Sequence, residues 1–236
     1  MTDDSWLNPA APAAEPAAHD QTAGTAHASW VPIHSMTAVH RPSILAHLVG
    51  LDERDRYLRF GYPASDAQIA RYVDGLNFAD DEVFGIFNRR LALIALAHLA
   101  FLNPAGPNGV GAEFGGSVAA LARGRGHGAR LFHHAMLHAR NRGVNTLTIH
   151  ALSENTAMLR IARKAGATVL RAGSESDAYL HLPPDTLASQ TEQWLGDNAA
   201  NLDYQVKRHA QRVDSLLDAI GEVRKGVGSS TPGASE

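Results

Sequence analysis

Apolar residues recur at helical spacing at Ile44, Leu45, Leu48 and Leu51, which predicts a helix over residues 41–51, preceded by a first strand over residues 30–39. Two shorter helical pieces follow. Residues 52–60 open on Asp52, and residues 65–76 open on Ser65 with Gln68 three positions on, the spacing of a capping box. The period then changes. Residues 82–88 and 91–102 are rich in apolar and aromatic side chains and are separated by Asn88-Arg89-Arg90, which predicts an antiparallel hairpin. Residues 103–112 carry Pro and Gly and read as a loop, and residues 113–121 read as the next strand. A glycine-rich turn, a helix over 128–142, a strand over 146–152 and a helix over 156–165 come next, with Gly143 and Gly166 placed to end the two helices. Two last strands are expected over 168–171 and 178–182. Hairpins followed by β-α-β order imply an α/β (α+β) fold, a mixed sheet with helices on its faces.

The two ends of the chain break this pattern. Residues 1–29 hold nine Ala, three Pro and four acidic residues with no Lys or Arg, and read as a disordered tail. Residues 226–236, GVGSSTPGASE, read as a second one. Between residues 184 and 225 apolar side chains fall at Leu202, Val206, Ala210, Val213, Leu217, Ile220 and Val223, the stripe of a long amphipathic helix. Such a helix packs on its own domain, pairs with a second copy to make a homo-oligomer, or docks on another protein. The expected layout is therefore one domain over 30–183, a helical extension over 184–225 and two tails.

Composition narrows the chemistry. The chain has no cysteine, which excludes a disulfide framework, a thiolate metal site and a cysteine nucleophile. Its formal charge, 21 basic minus 24 acidic side chains, is −3, and a nucleic-acid partner would call for a basic excess. No run approaches the ~20 apolar residues of a membrane helix, and the acidic start MTDDSW does not resemble a signal peptide, so no membrane partner and a cytoplasmic location are expected. His134 and His138 have metal-ligand spacing, but Ala135 and Met136 stand where H-E-x-x-H needs its glutamate, and no metal site is expected.

The informative stretch is Arg123-Gly124-Arg125-Gly126-His127-Gly128-Ala129-Arg130. A strand that turns into a helix leaves the first helical N–H groups without partners, and with the helix dipole these form an anion site. Glycine at Gly126 and Gly128 lets the backbone approach a phosphate closely, and Arg125 and Arg130 could add charge-assisted bonds. The plain alternative is a solvent-exposed turn that uses glycine for its geometry alone. A P-loop would need Gly-Lys-Ser/Thr, which is missing, and the dinucleotide fingerprint would need an acid on the following strand, where residues 146–152 have none.

The pattern Arg/Gln-x-x-Gly-x-Gly/Ala remains, matched by Arg123, Gly126 and Gly128, and here the sequence resembles the GNAT superfamily of acetyl-CoA-dependent N-acetyltransferases. The likeness extends to Glu113-Phe114-Gly115-Gly116-Ser117-Val118, similar to the family's fourth strand, and to the segment from Asn155 to Gly166, similar to its Asn-led helix. It spans residues 30–182 in the family's order. Residues 54–60, RDRYLRF, and Ala112-Glu113-Phe114 look most like the acetyltransferase domains of bacterial protein-lysine acetylases.

The resemblance implies a mostly antiparallel sheet of about six to seven strands, splayed between strands four and five, with acetyl-CoA as co-substrate in the gap. Gly116, Ser117 and Val118 would hold the pantetheine arm. Arg123 and the backbone of Gly124, Arg125, Gly126, His127, Gly128 and Ala129 would hold the pyrophosphate. Asn155 is read as a helix cap that lies close to the cofactor in the family. Glu113 matches the glutamate that serves as general base in the protein-acetylase branch, with a solvated strand-end carboxylate as the plain alternative, and His150 is the second candidate base, with a packed, hydrogen-bonded histidine as its alternative. The acceptor would be a primary amine on a small molecule or a protein lysine. Ala162 stands where many members carry a tyrosine acid, which leaves a second reading open, a catalytically weak acetyl-CoA-binding, regulatory or protein-interaction module. Nothing in the sequence accounts for the adjacent Gly115 and Gly116, which weaken a strand.

Overall fold

In the computed structural model, residues 31–102 and 110–184 are described, so the two expected tails, most of the expected loop 103–112 and the expected C-terminal amphipathic helix lie outside the described residues. A seven-stranded sheet runs in the order β1-β2-β3-β4-β5-β7-β6. Its strands are β1 (His34–Ser35), β2 (Glu82–Phe87), β3 (Leu93–Phe101), β4 (Gly111–Val118), β5 (Thr146–Leu152), β6 (Thr168–Ala172) and β7 (Glu175–His181). All neighbours pair antiparallel except β4 and β5, which are parallel.

Helices α1 (Arg41–Val49), α2 (Glu53–Phe60) and α3 (Asp66–Asp74) precede the hairpin, while α4 (His127–Asn141) and α5 (Thr156–Lys164) follow β4 and β5. The two helix groups cover opposite faces, each closing its own core. On one, Ile44, Leu48, Ile69 and Val73 pack with Val83, Leu93 and Leu96. On the other, Leu131, Phe132, Leu159 and Ala162 pack with Phe84, Phe114, Leu147 and Ile149. Alternation along the strands sorts these side chains to the two faces.

Local chemistry sets most boundaries. Asp52 accepts from the Asp55 amide at 2.8 Å to start α2, which stops at Gly61 with φ 79°. Ser65 and Gln68 form the expected capping box. Asn88 Oδ1 accepts from the amides of Arg90 and Ala92, each at 2.9 Å, and so closes the hairpin. Gly143 and Gly166, at φ 75° and 93°, turn the chain out of α4 and α5 through a left-handed conformation.

Three expected strands differ, and of these the one expected over 178–182 begins earlier, at Glu175, and ends at His181. The one expected over 30–39 is reduced to His34–Ser35, because Thr37 and His40 form a capping box around a 3₁₀ turn (Ala38–His40) and Pro42 starts α1 directly behind it. The one expected over 113–121 begins earlier, at Gly111, and ends at Val118. There the Ala119 amide makes a last bond to Ile94 and the chain enters a 3₁₀ turn (Ala120–Ala122).

Candidate active site

β4 and β5 pair only over Gly111–Glu113 and Thr146–Thr148, and among the described residues β4 has no partner on that side from Phe114 onward. The V-shaped gap opens into a cleft of about 590 Å³, bounded by α2, β4, the glycine-rich turn and α5.

At its open end, Gly124 and Gly126 take φ values of 73° and 78°, left-handed conformations that a side chain makes costly. Gly126 is the N-cap of α4 and has no side-chain cap, and the first backbone bond of the helix runs from Arg130 to Gly126. The amides of Gly126, His127, Gly128 and Ala129 are therefore left without backbone acceptors among the described residues, where the helix dipole is positive. A Cβ on Gly128 would stand 3.3 Å from Ile161 and 3.7 Å from Val118, so glycine there lets the turn seat between β4 and α5. Burial, reinforced by the charges of Arg130 and Arg125, lowers the His127 pKa, so this ring stays neutral at the turn.

Of the residues expected to hold the cofactor, Gly116, Ser117, Val118, Arg123, Gly124, Gly126, His127, Gly128, Ala129 and Asn155 all line the cleft. Arg125 does not line it, and Arg130 bonds the Val31 carbonyl instead of facing the gap. Arg123 is held by Asp55 of α2 and by the Val118 carbonyl. Asn155 caps α5 by accepting from the Met158 amide at 3.2 Å.

The two expected bases lie outside the cleft lining. Glu113 is exposed at the vertex, opposite Thr148, on the face that carries α1 and α2. His150 is bonded to Asp177 at 2.7 Å and is exposed. Ala162 is fully buried in the core. His134 and His138 pack with Phe84, and His138 is paired with Glu82 at 2.6 Å.

Several residues of the site were not foreseen. Arg160 and Lys164, one turn apart on α5, are exposed and line the cleft; their i, i+4 spacing was a readable signal. Asp55 and Arg59, also i, i+4, present α2 to the cleft. His47 links Ser117 Oγ, at 2.9 Å, to the Leu93 carbonyl, at 3.0 Å. Since the carbonyl can only accept, Nδ1 carries the proton and Ser117 donates to Nε2. This looks like a nucleophile and its base, but burial drops the His47 pKa to about 4, far from the value near neutrality that general-base work favours. The pair instead ties α1 to the cleft strand.

The profile of the acetyltransferase (GNAT) domain matches residues 33–168, over half of the 236 residues, and the chain belongs to this family. It is an acyl-CoA N-acyltransferase by class. Its fold is similar to the GNAT domain of S. lividans PAT (21% identity, TM-score 0.55, covering 64% of this chain and 89% of that one). It is also similar to a putative acetyltransferase of Acinetobacter baylyi (16%, TM-score 0.54, 66% and 95% covered). A third similar structure is RimL, a ribosomal L7/L12 α-N-protein acetyltransferase in complex with coenzyme A (16%, TM-score 0.50, 65% and 94% covered). No curated protein matches the sequence. Among the described residues, no helix is long and apolar enough to cross a membrane.

Proposed function

We propose that the protein transfers an acetyl group from acetyl-CoA to a primary amine, on a small molecule or a protein lysine, by direct attack in a ternary complex. The observation that carries this reading is the cleft itself. Uncapped amides at its open end suit a pyrophosphate, and an unpaired β4 edge at Gly116, Ser117 and Val118 suits the amide-bearing pantetheine arm. A CoA-bound protein of the same fold supports the choice of co-substrate. Glu113, at the vertex but outside the lining, takes the amine proton through a water, and His150 with Asp177 is the second candidate. With no cysteine to hold the acetyl group as a thioester, amine and acetyl-CoA meet in one complex.

Isothermal titration with acetyl-CoA tests the reading. Saturable binding is expected, and absence of binding at millimolar ligand overturns it. Buried Ala162, which puts no phenol at the thiolate, favours the second reading, a binding or regulatory module. Binding without turnover across a broad panel of amines and lysine peptides would select that one.

A further inference from the structure

Gly115 finds its reason in Arg59. A Cβ on Gly115 would lie 3.0 Å from Cζ, Nη1 and Nη2 of Arg59 alike, so the guanidinium lies flat on the bare backbone of β4. It is held there from behind. Nη2 donates to Tyr72 Oη at 2.8 Å, and Tyr72 Oη lies 2.9 Å from His98 Nδ1. His98 Nε2 is 3.1 Å from Asp81 Oδ2, whose other oxygen accepts from the Phe101 amide. The proton order of this chain follows from its ends. The Asp81 carboxylate only accepts, so Nε2 carries the His98 proton, Nδ1 accepts from Tyr72, and a Tyr72 lone pair faces Arg59. His98 is the cross-strand partner of Gly115, which places the whole chain beside the same point of β4.

Arg59 is left with unspent capacity. It lines the cleft, and among the described residues no carboxylate pairs with it and its Nε is buried without a hydrogen-bond partner. The location gives that charge a use. An acyl-CoA anchored by its pyrophosphate at Gly126–Ala129 runs its arm along the free edge of β4 from Val118 toward Phe114, and the arm must end where β4 rejoins β5 at Glu113 and Thr148. The thioester then lies at the β4 edge by Phe114 and Gly116, alongside the guanidinium.

We propose that Arg59 is a catalytic residue that donates to the thioester carbonyl oxygen and stabilises the oxyanion formed during transfer, with Tyr72, His98 and Asp81 as the positioning residues that hold it. The inference rests on the acyl-CoA reading given above. The amine nitrogen bonds to the carbonyl carbon and the C=O electron pair moves onto oxygen, where Arg59 meets it. Collapse breaks the C–S bond, the nitrogen gives one proton to Glu113 through water, and the thiolate takes one from solvent. A fixed, half-buried cation beside the developing charge is worth more than the same charge in bulk water, and costs no reorganisation when the negative charge develops.

Infrared difference spectroscopy of isotope-labelled acetyl-CoA bound to the full chain tests this without knowing the acceptor. In the wild type, the bound carbonyl stretch is expected to shift to lower frequency than in free acetyl-CoA, and Arg59→Gln is expected to lose that shift while titration shows acetyl-CoA affinity within a few-fold of wild type. Gly115→Ala, which keeps the arginine but lifts it off β4, is expected to lose most of it. Retained binding certifies that each variant is folded. A carbonyl stretch that is unshifted in the wild type, or equally shifted in wild type and both variants, overturns the role of Arg59. Failure of the wild type to bind acetyl-CoA overturns the acyl-CoA reading itself.

Discussion

Asp55 of α2 is ion-paired with Arg123 of the glycine-rich turn, 68 residues away, and the pair joins the two walls of the cleft. The Asp55 side chain is only 10% exposed, and it puts a carboxylate inside the cleft proposed to take the anionic acetyl-CoA. No residue of α2 is fully buried; Phe60 packs against the core and against Tyr72, and polar contacts add to this hold: Asp55 to Arg123, Arg56 to Asp66 at 2.6 Å, and Arg59 to Tyr72.

Removing that carboxylate frees Arg123 for phosphate. Asp55→Asn is therefore expected to tighten acetyl-CoA binding by roughly three- to tenfold, the scale of one partly screened charge interaction. Titration calorimetry at low and high salt checks this, with the gain shrinking at high salt.

At the turn, the sign is opposite. Gly126→Asp forces a side chain into φ 78° and sets a negative charge beside the open amides. The conformational cost alone is on the order of 1 kcal/mol. Loss of measurable acetyl-CoA binding in a variant that still melts cooperatively is the expected outcome.

Arg160 and Lys164 give the cleft a basic wall on α5. Neither has a carboxylate partner among the described residues, so both are available to a multiply charged phosphate ligand. Replacing both with Glu is expected to weaken acetyl-CoA binding by on the order of a hundredfold, and replacing both with Gln by less, since exposed charges each contribute up to about 1 kcal/mol. Surface plasmon resonance over a salt series checks the order.

Glu113→Gln keeps the shape of the side chain and removes its proton affinity. Acetyl-CoA affinity is expected to be unchanged and turnover to fall on the order of a hundredfold or more, the usual contribution of a general base. Initial-rate patterns should be sequential in both proteins.

Acid should loosen the fold. Burial, aided by the charge of Arg59 and opposed by the Leu93 carbonyl, lowers the His47 pKa from 6.5 to about 4. Between those values the unfolded chain holds a proton that the folded one does not, so stability falls as pH drops through this window, by about 3 kcal/mol in all. Burial pushes the Glu82 carboxyl up, but its bonds and charge interactions with His138 and Arg142 outweigh this and set its pKa below 4.5. Its stabilisation is present above that value and is lost as pH falls through the folded pKa. Thermal melts from pH 7 to 4 are expected to show a falling Tm, and His47→Gln to flatten the upper part of the decline.

The elements that could be read from the sequence are those whose causes lie within a few residues. Asp52, Ser65 with Gln68, Asn88, Gly143 and Gly166 set helix ends and a hairpin through bonds to near neighbours, so their spacing was enough. The turn Arg123–Gly128 was legible for the same reason, since uncapped amides and left-handed glycines are properties of one short segment. The first strand was misjudged because its apolar run is interrupted by a local competitor, the Thr37–His40 turn, whose bonds outweigh extended pairing.

What only the tertiary structure decided is how distant charges are spent. Arg123 and Arg130 look alike in sequence, yet one faces Asp55 across the cleft and the other bonds Val31. Gly115 was inexplicable along the chain, because the group that needs its missing Cβ is Arg59, brought over β4 from another helix. Local bonds depend on spacing along the backbone and can be counted there. The partner of a charged side chain is fixed by which helices the two cores seat against the sheet, and no spacing in the sequence records that distance.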